Sequence, residues 1–437
     1  MTGKTTRRTF ITTATIATTA APGFLQAAAP NDRVRVGLIG CGGRGRTVAS
    51  QFAKMPDAQI VAVCDVYEAR REQVRANLGG ASVRSEKDFR AILDAKDVDA
   101  VIVATPGHWH VLPTVAACAA GKDVYVEKPL GTSIAEGRAA VTAARKHNRV
   151  VQIGTQQRSW DIYRKAVEVI RSGRLGVISE VKVWDNENDR PGFGRPPDTD
   201  APDGLDWDLW VGPAPSRRFN PNRFAHHYWF QDYGGGWPLD WAVHHYDIVH
   251  WAMDATAPKS AVATGGHYAF SAEEDDREWP DTLTAGLEYG PTSVAPRGFL
   301  LSYTTRSGNR GTQFPHGKSF FGTEASLHLD RTGFTIDVEP KKGRKPATPE
   351  ETVRGETEDQ ANGNHVRAFL DRVKDRARPL ADVENGHTSS VPGHLINIAW
   401  RVGRVLKWDA ATEHVIDDPE ADALVSRSYR APWALES

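Results

Sequence analysis

The chain has 437 residues, a formal net charge of −1, 40% hydrophobic residues and 25% charged residues. That length exceeds one ordinary core and suits two packed domains with extensions. The near-neutral charge, without a basic stripe, argues against nucleic acid and for a small neutral or polar ligand. Cys41, Cys64 and Cys118 are odd in number and form no C-x-x-C pair, so neither a disulfide framework nor a zinc site is expected of them. The 13 Trp and 10 Tyr suit a sugar-binding cleft and a large core equally.

Residues 1–29 read as an export signal. Lys4, Arg7 and Arg8 form a basic start, a Thr- and Ala-rich apolar middle follows, and Ala27-Ala28-Ala29 precede Pro30. The Arg7-Arg8 pair with Phe10 two places on resembles the twin-arginine signal. A bacterial periplasmic or secreted protein, handled by the twin-arginine machinery, is expected; a disordered cytoplasmic tail is the alternative reading. Elsewhere no apolar run reaches the roughly 18 residues of a membrane span.

Residues 30–155 read as a dinucleotide-binding domain. Val34–Ile39 is a buried strand that runs into Gly40-Cys41-Gly42-Gly43-Arg44-Gly45, a G-x-G-x-x-G turn, and a helix is expected over 46–55. The glycines allow a tight turn, close approach to a pyrophosphate, and packing of helix on strand. The helix N-terminus offers free N–H groups to the phosphate charge. A second strand, 59–64, ends at Asp65, whose carboxylate can accept from the adenosine ribose and repel a 2′-phosphate. NAD is therefore expected, with NADP as the alternative because Arg70 and Arg71 lie close by. Asp65 also reads as a helix N-cap, a role compatible with the first. Further strands end at Thr105-Pro106, Glu127-Lys128-Pro129 and Gly154-Thr155-Gln156, alternating with helices. Such alternation implies a parallel sheet whose ligand sits at the carboxyl ends of the strands.

The stretch Lys122-Asp-Val-Tyr-Val-Glu127-Lys128-Pro129, after this glycine loop and Thr105-Pro106, resembles the Gfo/Idh/MocA oxidoreductases. That resemblance implies a Rossmann domain followed by an α/β domain with a large open, mostly antiparallel sheet, over residues 156–437. It implies that Glu127 holds the nicotinamide-side ribose, that Lys128 points at the reacting hydroxyl, and that a histidine near His108 or His110 lies by the nicotinamide. Either histidine also reads as a helix cap. A homodimer or homotetramer, paired through the open sheet, is expected on the same ground.

In the second domain, a long Pro-, Gly- and Trp-rich stretch to about residue 233 is expected to fold over the cleft. Arg158, Trp184, Arg223, His226, His227, Tyr228 and Trp229 are its substrate-contact candidates. Asp240, His244 and Asp247, spaced i, i+4, i+7, are expected on one helix face. By resemblance His244 is a general acid or base, Asp240 orients it or binds substrate, and Asp247 supports them. A zinc site built from His226, His227, His244 or His245 is the competing reading, and no metal is expected. Strands are expected over 261–269, 282–289, 298–305 and 318–321, and helices over 365–374 and 387–407.

Three functions fit. One is oxidation or reduction of a sugar or polyol hydroxyl by a tightly bound, recycled cofactor. The second is redox-neutral glycoside cleavage or elimination through a transient 3-keto sugar. The third is non-catalytic sugar binding.

Overall fold

The computed structural model describes residues 33–311, 315–340 and 351–435; the export signal read at 1–29 lies outside them. Six short strands form the first sheet: β1 (Val34–Ile39), β2 (Ala58–Cys64), β3 (Arg84–Glu86), β4 (Ala100–Val103), β5 (Asp123–Val126) and β6 (Val151–Ile153). All pairs are parallel, in the order β3-β2-β1-β4-β5-β6. Every residue of β4, β5 and β6 is buried. Helices cover both faces of such a sheet, so its strands read as unbroken runs rather than alternating ones. The first helix, Gly43–Ala53, starts inside the glycine motif, earlier than expected, with Gly42 as its extended N-cap residue, a position where glycine is well tolerated.

The second sheet has ten strands: β7 (Ile178–Asn186), β8 (Ser260–Gly266), β9 (Thr282–Tyr289), β10 (Phe299–Arg306), β11 (His316–Gly322), β12 (Ala325–Leu329), β13 (Gly333–Val338), β14 (Glu351–Arg354), β15 (Leu406–Asp409) and β16 (His414–Val415). Their order is β14-β13-β12-β11-β7-β10-β9-β8-β15-β16. Among these, β7 and β10 pair in parallel and the other neighbours antiparallel. Side chains alternate across a pleat. One face therefore buries Val181, Val183, Leu301, Tyr303 and Phe320 against helices Asp161–Arg171, Val243–Met253 and Val383–Val402. The other face exposes Val262 and Leu300.

The two C-terminal helices return to the first domain. Glu358–Asp375 starts earlier than its apolar spacing suggests, because Thr357 and Gln360 form a reciprocal capping box. Its Val366, Phe369 and Leu370 join Phe52 and Tyr125 in one buried cluster. Val383–Val402 is capped by Asp382 and stops at Gly403, whose φ of +67° closes the helix; the expected continuation to 407 is instead the start of β15. Ahead of the Glu358–Asp375 helix, β14 adds to the sheet edge by pairing with β13.

Phe369 is fully buried, with its ring centroid 5.8 Å from Phe52 and 6.0 Å from Tyr125. Phe369→Ala is expected to destabilise the protein by about 3–5 kcal/mol, measured by urea denaturation. A loss below about 1 kcal/mol would show that this helix is not part of the first domain's core.

Candidate active site

A cavity of about 660 Å³ runs along the carboxyl ends of the first sheet. The glycine loop forms its floor. Gly40 has φ +97°, and a Cβ there would meet the Ala104 backbone at 2.6 Å; a Cβ on Gly45 would meet the Gly40 carbonyl oxygen at 1.9 Å. A Cβ on Gly42 or Gly43 would meet nothing within 4 Å. Two glycines thus close the turn, and two leave its surface bare toward the cavity. This bare loop at a helix N-terminus fits a pyrophosphate.

Asp65 ends β2 and shapes the loop. Its carboxylate accepts from Cys41 N at 2.7 Å and from Tyr67 N at 2.9 Å. Burial raises its pKa, and these two N–H groups oppose the rise. It lines the cavity with Arg70, so the same carboxylate holds the turn and faces a ligand. Thr105 and Pro106 follow β4 and also line the cavity. Thr105 Oγ1 is buried without a partner among the described residues, a polar atom suited to a ligand contact. The His110 ring nitrogens lie 2.7 Å from the Pro129 carbonyl and 2.8 Å from the Thr105 carbonyl. Burial lowers the His110 pKa, and a neutral ring donates only one N–H, so one carbonyl receives it at a time. His108 instead contacts the Trp210 carbonyl at 3.0 Å, outside the cavity lining.

Glu127 ends β5 and is buried. Its Oε1 accepts from Arg44 Nε at 2.7 Å and from Gln156 Nε2 at 3.2 Å. Burial opposes the Arg44 charge but Glu127 outweighs it, and the Arg44 pKa stays above its ordinary value. Arg44, Glu127 and Gln156 all line the cavity, so the glycine loop and two strand ends meet in one charge pair.

Lys128 reaches across to the second domain. Its Nζ donates to the Asp240 carbonyl at 2.5 Å and lies 3.5 Å from Asp240 Oδ2. Asp240 and His244 do not share one unbroken helix. Gly236–Asp240 and Val243–Met253 are separate, joined through Trp241 and Ala242. Both residues nevertheless line the cavity. Trp241 stands between the basic groups: Lys128 Nζ is 6.0 Å, and the His244 ring 5.8 Å, from its ring centroids. Burial, then the Lys128 charge, holds the His244 pKa well below its ordinary value, so the imidazole is neutral near pH 7. Its Nδ1 is buried without a partner among the described residues. A cation beside a neutral imidazole is a pair able to move a hydroxyl proton.

Tyr228 and His227 close the same end, and burial lowers the His227 pKa to about 4. Arg331, in the β12–β13 turn, also reaches this end, 4.8 Å over Trp241 and 3.1 Å from Glu358. Sequence reading missed Trp241 and Arg331. Asp330-Arg331-Thr332-Gly333 reads only as a polar hairpin turn, and no local signal places it over Trp241.

Other expectations need correction. Arg158 is not a cavity residue: its Nε donates to both Asp247 oxygens, at 2.8 and 2.9 Å, in a buried pair. Asp247 therefore supports the helix from beneath rather than sharing a face with Asp240. Trp184 lies on β7 against Gly317, outside the cavity lining, because its strand neighbours Val183 and Asp185 take the buried face. Arg223 pairs with Glu278, and Trp229 is fully buried in the local core. The four histidines weighed for zinc diverge: His226 stacks on Phe193, His245 bonds Asp185 at 2.9 Å, and His227 and His244 face the cavity.

Arg158→Ala strands a buried carboxylate and is expected to cost about 3–5 kcal/mol of stability, measured by urea denaturation. An unchanged midpoint with weakened substrate binding would return Arg158 to the site.

Residues 34–155 match the family described as "Oxidoreductase family, NAD-binding Rossmann fold", and residues 169–266 and 354–435 match its "C-terminal alpha/beta domain". The chain is 29% identical over 224 residues to the scyllo-inositol 2-dehydrogenase (NAD(+)) of Bacillus subtilis, covering 51% of this chain and 55% of that one. It is 36% identical over 116 residues to a glycosyl hydrolase family 109 protein of Solibacter usitatus, covering 24% of this chain and 26% of that one. The chain thus spans less than two thirds of each of these curated relatives. Its fold matches Lactobacillus casei scyllo-inositol dehydrogenase, solved with NAD(H) and scyllo-inositol, at a TM-score of 0.63 and 19% identity, over 86% of this chain and 99% of that one.

Proposed function

Because the chain belongs to the Gfo/Idh/MocA oxidoreductase family, with that family's NAD-binding Rossmann fold at its front, we propose that it oxidises a hydroxyl of a sugar or polyol to the carbonyl, or reduces that carbonyl back to the hydroxyl. The carrying observation is that one cavity joins the glycine loop to Lys128, Asp240 and His244. NAD, when bound, supplies the hydride acceptor or donor.

The chain's own residues divide the remaining work. Gly42, Gly43 and the helix N-terminus receive the pyrophosphate, Asp65 the adenosine ribose, and Glu127 with Arg44 and Gln156 the second ribose. Thr105, Pro106 and His110 shape the wall beside them. Lys128, anchored on Asp240, stabilises negative charge growing on the substrate oxygen. His244, kept neutral, takes the hydroxyl proton in the oxidative direction and returns it in the reductive one. Tyr228 and Trp241 offer ring faces to the substrate's C–H groups.

The Arg7-Arg8 leader supports export of the folded protein to the periplasm or beyond, with its cofactor already loaded. Free NAD is scarce there, so the cofactor is held tightly and returned to its starting state in each cycle. The open sheet face, with Val262 and Leu300 exposed, supports pairing into a dimer or tetramer. The likeness to glycosyl hydrolase family 109 proteins favours a second reading: transient oxidation at C3, loss of the acidified C2 proton with elimination of the glycosidic substituent, addition of water across the resulting double bond, and re-reduction at C3. Release of aglycone without an oxidised product would select it.

Denaturing the purified mature protein is expected to release NAD, identified by mass; NADP would overturn the role given to Asp65. Lys128→Ala is expected to lower kcat by about 10²–10⁴-fold while leaving NADH binding intact by fluorescence titration. Turnover at the parental rate would leave a sugar-binding role. The acid limb of kcat is expected below about pH 6.5, the ordinary histidine value, because His244 resists protonation. A limb at or above that value would assign the proton to another group.

A further inference from the structure

We infer that residues 205–228 of the second domain wall in the adenosine end of the dinucleotide site, and that residues 427–433 latch this wall shut. The inference rests on the NAD reading above. Rossmann domains bind the adenosine at the end of the second strand, beside the acid that follows the glycine motif. Here that acid is Asp65. The cavity around it is closed on its outer side by Leu209, Trp210, Phe224 and Ala225, which belong to the other domain.

The wall is a packed unit rather than a loose loop. Leu205, Trp210, Val211, Ala214 and Phe219 of the wall share a buried cluster with Phe230 and Tyr233 just after it. Such a unit lifts as a body, since opening it piecemeal exposes its own core. It also sits directly on the cofactor domain. Glu68 N donates to the Gly204 carbonyl at 2.9 Å, and Asp206 N to the Val66 carbonyl at 3.0 Å. Lys87 and Asp206 pair at 2.9 Å. The Arg70 guanidinium lies 4.5 Å over the Phe224 ring. Both residues line the cavity beside Asp65, one from each domain. A flat cation on an aromatic ring makes a shelf suited to the π-face or edge of a purine. Arg70 and Phe224 are thus the adenine contacts, and Phe224 comes from outside the Rossmann fold.

The latch is the segment 427–433. Arg430 Nε donates to the Gly212 carbonyl at 2.9 Å, and its Nη2 to the Asp208 carbonyl at 2.9 Å. Arg430 also pairs with the Asp208 carboxylate at 2.5 Å. Arg427 bonds Thr132 of the first domain and the Asp232 carbonyl of the second, tying the two together. Trp433 packs edge-on against Trp109 at 4.8 Å, under Arg90 of the first domain. Trp109 in turn donates to the Trp210 carbonyl at 2.8 Å. Lifting the wall breaks these contacts together. The dinucleotide therefore exchanges only when the latch opens, which is the property a recycled cofactor requires.

The test is release of NADH. The full mature protein is loaded with NADH and chased with excess NAD, and the loss of bound NADH fluorescence is followed with time. Arg430→Ala with Trp433→Ala is expected to release NADH at least 10-fold faster than the parent. Phe224→Ala is expected to release it faster and to bind it more weakly at equilibrium. Arg430→Lys, which keeps the charge but loses the planar fork, is expected to fall between. Should the double variant fail to fold, Arg430→Ala alone reads the same rate. Release at the parental rate from folded latch variants and from Phe224→Ala would overturn the inference while leaving the NAD reading standing. A parent that takes up no NADH would instead sink that reading, and this inference with it.

Discussion

The ammonium of Lys128 cannot lie in a cleft between two domains without partners, and the partner it has belongs to the other domain. Its contacts with the Asp240 carbonyl and carboxylate join the end of β5 to the helix pair that carries His244. A charged hydrogen bond of this kind contributes about 1.5–3 kcal/mol, small beside the cores on either side. Its importance is positional. The contact sets Lys128, Trp241 and His244 side by side, and the Lys128 charge adds to burial in keeping His244 neutral. The chemistry of the site and the docking of the domains therefore rest on the same contact.

The same principle runs through the rest of the cavity. Two strand ends of the first sheet present carboxylates, Asp65 and Glu127, that are used structurally as well as facing the ligand space. Asp65 holds two backbone N–H groups of the loops around it. Glu127 gathers Arg44 and Gln156. Because these carboxylates have hydrogen-bond partners within the protein, the loop shape exists before any ligand binds, and binding need not include the cost of ordering it. The second-domain wall and the C-terminal latch extend this preorganisation from the loops to the whole cofactor end.

Much of this was legible in the residues. The glycine motif between an apolar run and a helix and the strand ends at Thr105, Glu127 and Gln156 fell where expected, whereas Asp240 and His244 line the cavity from two helices rather than from one helix face. These are local signals: backbone room, burial of short apolar runs, and spacing along one segment. Arg158 and Trp184 went wrong because nearness in sequence to Gln156 and β7 stood in for direction. For Trp184 the correction was available, since Val181, Val183 and Asp185 alternate inward and leave Trp184 on the other face. For Arg158 it was not. Its partner Asp247 lies 89 positions away, and only the packing of helix on turn brings the two together.

By itself the sequence determined two domain types, the turn built to receive a pyrophosphate, and the strand-end residues that face it, because periodicity and glycine placement act within a few residues. The tertiary structure decided which of those groups meet across the domains: Lys128 with Asp240, Arg331 over Trp241, and Phe224 beside Arg70. Those meetings depend on how two independently patterned cores dock. Docking is governed by surface shape and charge gathered from segments far apart in the chain, and no single stretch of it encodes the outcome.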